Sequence, residues 1–173
     1  IDIFAPPHGR SGRRKSQRLA WLSALEQPSA EAALQQALTL EQPNGIDLTQ
    51  FVTLWSLPSD AQTALTSAVP HRLVVDDKTR LLFTPRQIEQ FLERVADLLR
   101  AHHQRNPDSP GLTLEQLQRA MTSKPSGSVF SLLLRELAKD GVVLRTGPHL
   151  HLPGHSAELQ GTEKQLWERF KPW

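Results

Sequence analysis

Apolar positions along this chain recur with two periods, one helical and one extended. The clearest passage from one to the other is Ser128–Leu152, SVFSLLLRELAKDGVVLRTGPHLHL. Leu133, Leu134 and Leu137 fall at helical spacing, and Asp140-Gly141 supplies a C-terminal stop. Val142-Val143-Leu144 and His149-Leu150-His151-Leu152 read as two short strands around a Gly147-Pro148 turn. A shorter helical pattern, Thr113–Met121, precedes them. Together these predict two helices followed by a two-stranded wing.

The same pattern occurs earlier. A shift of 69 positions lays Leu117 on Leu48, Leu134 on Leu65, Val142-Val143-Leu144 on Leu73-Val74-Val75, Leu150 on Leu81 and Leu152 on Phe83. The first copy then has helices near Asp47–Trp55 and Ser59–Ala68, and a wing at Arg72–Phe83 turning at Asp76-Asp77-Lys78. A fixed period means tandem modules. The expected fold is mainly α with small β-hairpins, built as tandem winged helix-turn-helix domains.

The rest of the chain fits around these modules. Ile1–Phe4 resembles the end of a strand, broken by Ala5-Pro6-Pro7-His8-Gly9, and Gly9–Lys15 reads as a basic loop. Ser16 is a candidate cap for a helix running to Gln27, and Ala30–Leu40 is rich in good helix formers. Asp47 is a candidate cap for the next helix. Thr84-Pro85 opens a long helix with Ile88, Phe91, Leu92, Val95, Leu98 and Leu99 in one apolar stripe through His102. Asn106–Gly111 ends it. Thr162–Lys171 reads as a last helix whose Leu166, Trp167 and Phe170 lack an apolar partner, the expected start of a third module. The expected division is 1–15 as the end of a preceding β-barrel domain with a basic linker, 16–84 and 85–155 as the two winged helices, and 156–173 as linker plus truncated third module. A start at Ile1 and a stop at Trp173 suggest a piece of something longer.

Composition narrows the chemistry. The 173 residues contain no cysteine, which removes disulfides, thiolate metal sites and cysteine nucleophiles. No run approaches the roughly 18 apolar residues of a membrane span, and no signal peptide opens the chain. A cytoplasmic, membrane-free monomer is expected. The net charge of +2 is unevenly spread. Residues 1–18 carry Arg10, Arg13, Arg14, Lys15 and Arg18 against Asp2 alone, a surplus of +4, so the remainder is at −2. An electrostatic footprint for RNA would therefore concentrate at the N-terminal segment.

Each candidate site has a plain alternative. Gly9–Ser16, GRSGRRKS, has the length of a phosphate-binding loop, but Arg14 stands where G-x-x-x-x-G-K-[ST] needs its second glycine. A basic loop on RNA phosphate competes there with a solvated linker. His149 and His151 share one strand face with His155 close behind, yet no carboxylate accompanies them, so wing-surface histidines touching RNA are favoured over a metal site. His102 and His103 are expected as one buried edge and one solvated ring. Ser128, Arg135 and Lys139 on the second recognition-type helix suit RNA contact or a solvated face equally. The matching first-module helix offers Ser59, Asp60, Gln62, Thr63 and Ser67 but no cation, which favours a spacer or protein-contact unit. No nucleophile, base and orienting group can be assembled, so no enzyme activity, cofactor or metal is expected in this segment.

The order IDIFAPP, GRRK, the tandem-module spacing, HLHLPGH and EKQLWERF resembles the C-terminal extension of the bacterial selenocysteine-specific elongation factor family, SelB, over nearly the whole chain. The resemblance implies winged helices one and two of a GTPase that delivers selenocysteyl-tRNA to UGA codons on the ribosome. GTP, its Mg and the tRNA would belong to an upstream body, and the selenocysteine-insertion mRNA hairpin mainly to later winged helices. This segment would be the arm between them, stiffened by the Ile88–Leu99 stripe. A DNA-binding winged-helix regulator and a protein–protein scaffold are the alternatives; a regulator should carry several cations on its recognition helices.

Overall fold

The computed structural model describes residues 12–76, 79–122 and 125–155, without the side chains of residues 12–15 and Ser59. The chain divides into two units, Ile1–Glu89 and Gln90–Trp173.

In the first unit, α1 (Gly12–Leu25) and α2 (Ala30–Thr39) lead to β1 (Ile46–Asp47), α3 (Leu48–Leu54) and α4 (Ser59–Ala68), then the hairpin β2 (Arg72–Asp76) and β3 (Thr79–Phe83). Side chains set the helix starts. Ser29 Oγ accepts from the Ala32 amide at 3.2 Å to open α2, and Asp47 Oδ1 accepts from the Thr49 and Gln50 amides at 2.9 and 3.1 Å to open α3. Ala33, Leu34, Ala37 and Leu38 of α2 bury one face with Leu48, Phe51, Leu65 and Leu82.

The second unit repeats the order. The helix α5 (Pro85–Arg105), inside which the division between units falls, precedes β4 (Leu112–Thr113), α6 (Leu114–Ala120), α7 (Gly127–Lys139), β5 (Leu144–Thr146) and β6 (His149–His151). Thr84 and Gln87 bond reciprocally at the start of α5, and Thr113 and Gln116 do so at α6. Phe91, Val95 and Leu99 form the buried stripe of α5, while Ile88, Leu92 and Leu98 are half-buried. Phe91 meets Phe130 of α7 edge-to-face, with centroids 5.5 Å apart. Leu117, Met121, Leu132, Leu133, Leu134, Leu137, Val143 and Leu150 are buried in the same unit.

Each hairpin is part of a three-stranded sheet, ordered β1-β3-β2 and β4-β6-β5. The helix order, the short leading strand and the wing make both units winged helices. The two wings differ in length: β2 and β3 pair through five residues, β5 and β6 through three.

Several expectations shift. The stretch Gly12–Lys15, expected as a basic loop, is the first turn of α1, which ends at Leu25 instead of Gln27. The second wing begins at Leu144, because Val142 closes the α7 turn through its amide on Leu137 O and Val143 is buried in the core. The leading strands β1 and β4 were not anticipated; two residues carry no periodic signal. They also correct the repeat. Helix caps Asp47 and Thr113 are 66 apart, so Phe51, not Leu48, matches Leu117. The loop from α6 to α7 is then longer than that from α3 to α4, which restores a spacing near 69 further on. The expected strand Ile1–Phe4 and helix Thr162–Lys171 lie outside the described residues, as do Asp77 and Lys78 of the first wing turn.

Two glycines let the sheets close. Gly45 and Gly111, also 66 apart, immediately precede β1 and β4 with φ of +68° and +129°. A Cβ on Gly45 would sit 2.8 Å from Leu82 O, and one on Gly111 only 2.2 Å from Leu150 O. Gly111→Ala is therefore expected to destabilise the second unit by about 3 kcal/mol. Gly147→Ala, at φ +60° with open space around it, should cost roughly 1 kcal/mol. Urea unfolding midpoints of the two variants check this, and equal losses would refute it.

Candidate nucleic-acid interface

Of the residues expected to contact RNA, the structure gathers only part. Arg10 lies outside the described residues, and Arg13, Arg14 and Lys15 are on the first turn of α1. Arg18, one turn on, is half-buried and engaged with a neighbour. The remaining five belong to the second unit.

On α7, Ser128 is exposed beside Ser126, with the two hydroxyl oxygens 3.5 Å apart. Neither Ser126 nor Pro58, the residues before the two recognition-type helices, makes a side-chain cap. Ser131 turns its hydroxyl back onto Gly127 O at 2.9 Å. Arg135 is exposed but already has a partner. Lys139 reaches Glu136 at 2.6 Å one turn back, an exposed pair of small energetic value that halves the cationic character of this face.

The first unit's α4 is poorer still. Asp60 is its only charged residue in SDAQTALTSA. Thr66 donates to Gln62 O and Thr63 O, each at 3.1 Å, and Ser67 donates to Thr63 O at 2.8 Å, so hydroxyl protons are spent on the helix itself. A phosphate-reading surface needs cations or free donors, and α4 carries no cation while its Thr66 and Ser67 hydroxyl protons stay on the helix.

His149 and His151 flank buried Leu150 on β6, and both are half-buried. His151 is locked locally. Its Nδ1–H donates to Leu152 O at 3.1 Å, so Nε2 accepts from the Thr146 hydroxyl at 3.0 Å. Across the hairpin, Arg145 Nε donates to Gly147 O at 2.9 Å, bracing the turn.

The histidines that sequence reasoning set aside form the densest polar cluster. His103 and His155 stack with ring centroids 3.5 Å apart at 19°, and His102 lies 6.0 Å from His103 at 65°. Leu152 N–H donates to His103 Nε2 at 3.4 Å, which leaves the ring proton on Nδ1, buried without a partner. Asn106 Nδ2 approaches His102 Nδ1 at 3.4 Å, and His102 Nε2–H then donates to Ser109 Oγ at 2.9 Å. His155 Nε2–H donates to Ser109 O at 2.8 Å. The expectation of one buried and one solvated ring on α5 is thus replaced by two half-buried rings, each with partners. Helical spacing alone cannot show that a loop and a chain exit converge on them. No group of three or more His, Cys, Asp or Glu with metal-holding geometry occurs among the described residues.

Burial pushes the His103 pKa down to about 4, assisted by the charges His155, His102 and His151 would carry. Burial, His155 and Arg105 lower His102 in the same direction.

Comparison with known proteins adds a sequence similarity to this geometry. Residues 96–152, from the middle of α5 to just past β6, match the family model "Elongation factor SelB, winged helix". Over this stretch the second unit is similar to a SelB winged helix. The chain is 24% identical over 173 residues to the selenocysteine-specific elongation factor of Escherichia coli (strain K12), covering 99% of this chain and 27% of that protein. It is 27% identical over 85 residues to the selenocysteine-specific elongation factor of Haemophilus influenzae (strain ATCC 51907 / DSM 11121 / KW20 / Rd), covering 49% of this chain and 14% of that one. The chain thus spans about a quarter of the length of the first of these SelB relatives. Both units are winged helices, and these similarities support a SelB-like segment and do not favour the DNA-binding regulator reading. Among the described residues, no helix is long and apolar enough to cross a membrane.

The lowered His103 pKa has a signed consequence. The unfolded ring, near its ordinary 6.5, binds a proton more readily than the folded one near 4. The contribution is fully present above about pH 6.5 and is lost as pH falls toward 4. The thermal midpoint of His103→Phe should therefore depend less on pH than that of the parent over this window. Parallel profiles would refute the assignment.

Proposed function

We propose that this segment acts inside a selenocysteine-specific elongation factor as the arm between a GTP- and selenocysteyl-tRNA-binding body and winged helices that read the selenocysteine-insertion mRNA hairpin. The observation that carries this reading is the polar but cation-poor surface of α4, together with the pairing of Lys139 with Glu136 on the second recognition-type helix. Among the described residues, α4 carries no cation, and the two cations of α7, Arg135 and Lys139, each have a partner, which is a weak basic surface for a nucleic-acid reader. Such modules serve distance and geometry. Tethering a hairpin-reading tip to a tRNA-carrying body makes delivery at UGA local by raising effective concentration.

The module limits 16–84 and 85–155 belong to this reading, as do the ribosome as partner, a monomeric state and a cytoplasmic setting. GTP and Mg are assigned to the body and no catalytic group to this segment. Residual RNA contact is assigned to Arg10, Arg13, Arg14, Lys15 and Arg18, with Ser128, Arg135, Lys139, His149 and His151 as a weaker second patch.

Two outcomes follow. The isolated chain should bind a selenocysteine-insertion hairpin no better than an unrelated hairpin at 150 mM salt. Sub-micromolar, sequence-specific binding in a filter or anisotropy titration would overturn the arm assignment. Replacing the five N-terminal cations by Gln should weaken non-specific RNA binding and flatten its dependence on salt, since each phosphate contact adds about 0.7 to the slope for single strands. Coincident salt titrations for parent and variant would reduce that stretch to a linker.

A further inference from the structure

The chain leaves β6 through Leu152-Pro153-Gly154-His155 and folds back in one turn, closed by His155 N–H on Leu152 O at 3.2 Å. Three interactions pin this turn to the end of α5 and the loop beyond it. Leu152 N–H donates to His103 Nε2, His155 Nε2–H donates to Ser109 O, and the His103 and His155 rings stack. The partners are 46, 49 and 52 residues apart in sequence, so nothing local would hold them together. Ser109 is held in turn by His102 and by Gly111, whose amide donates to Ser109 Oγ at 3.3 Å. The exit turn therefore rests on a connected set of imidazole contacts.

That set tolerates one protonation state. The acceptor for Leu152 N–H is the Nε2 lone pair of His103. A proton placed there turns the acceptor into a donor, so two N–H groups face each other. The same proton puts a cation against the stacked ring of His155 and near His102 on α5 and His151 on β6, with Arg105 adding its charge on the His102 side. All of these groups are cationic or become so when protonated. The neutral ring is itself under-satisfied, since its Nδ1–H is buried with no acceptor. Such a contact is made to open.

We propose that His103 and His155 form a proton-operated latch: with His103 neutral it clamps residues 152–155 against the end of α5, and protonation of His103 releases them while the winged-helix core stays folded. The latch fixes the direction in which the backbone leaves β6. Its low opening range follows from the burial that lowers the His103 pKa.

The test is an NMR titration of the whole chain from pH 7.5 to 4. Amide signals of Leu152, Gly154 and His155 should move together, with a midpoint that coincides with the His103 ring and lies well below 6.5. The amides of Val95 and Leu99 should hold still. In His155→Ala at pH 7.5, exchange of the Leu152 amide should accelerate at least tenfold, and in His103→Phe the titration of residues 152–155 should vanish. The latch is refuted if the exit amides ignore His103 titration, if they move only when the core amides also move, or if Leu152 exchange in His155→Ala matches the parent. Should His103→Phe fail to fold, the parent titration and His155→Ala still decide.

Discussion

Each unit is closed by the backbone approach of a short leading strand to the returning strand of its wing. Ile46 pairs with Leu82, and Leu112 pairs with Leu150. These pairs join positions 36 and 38 residues apart, so they tie the helix pair to the wing and define the module. The approach is so close that the residue before each leading strand must lack a side chain, with Gly45 against Leu82 O and Gly111 against Leu150 O. The cap residues follow directly. Asp47 and Thr113 are both the last residue of the leading strand and the N-cap of the next helix, so one short stretch sets strand pairing, helix start and helix direction.

This closure places the rest. Fixing α3 and α6 by their caps turns Phe51 and Leu117 inward, where each is almost fully buried. The following helices α4 and α7 then present polar faces outward. In a winged helix that outer face is where nucleic acid would be read, and here it carries hydroxyls folded back onto helix carbonyls, one unopposed carboxylate on α4, and a Lys139–Glu136 pair on α7. The winged-helix scaffold is retained while this outer face carries little unpaired positive charge.

The histidine cluster belongs to the same logic of closure. The turn that ends α5 and the turn that leaves β6 meet at Ser109, His103 and His155. Neutral imidazoles can accept and donate in one plane, and they stack without repulsion. The two turns are therefore joined through imidazoles, with one buried N–H of His103 left without an acceptor.

Much of this architecture was legible in the residues themselves. The alternation of Leu133, Leu134 and Leu137 with the following hairpin, the breaks at Asp140-Gly141 and Gly147-Pro148, and the echo of that pattern in Leu65–Phe83 depend on local periodicity and turn chemistry, which act over a few residues. The same holds for the Asp47 cap and the Thr84-Pro85 start of α5, and the family resemblance followed from the order of such pieces. Tertiary structure alone decided the rest. Strands of two residues carry no period, and Val143 left its strand because the core could bury it. The four-histidine corner depends on side chains nearly fifty positions apart, whose meeting is fixed by packing and not by any local preference.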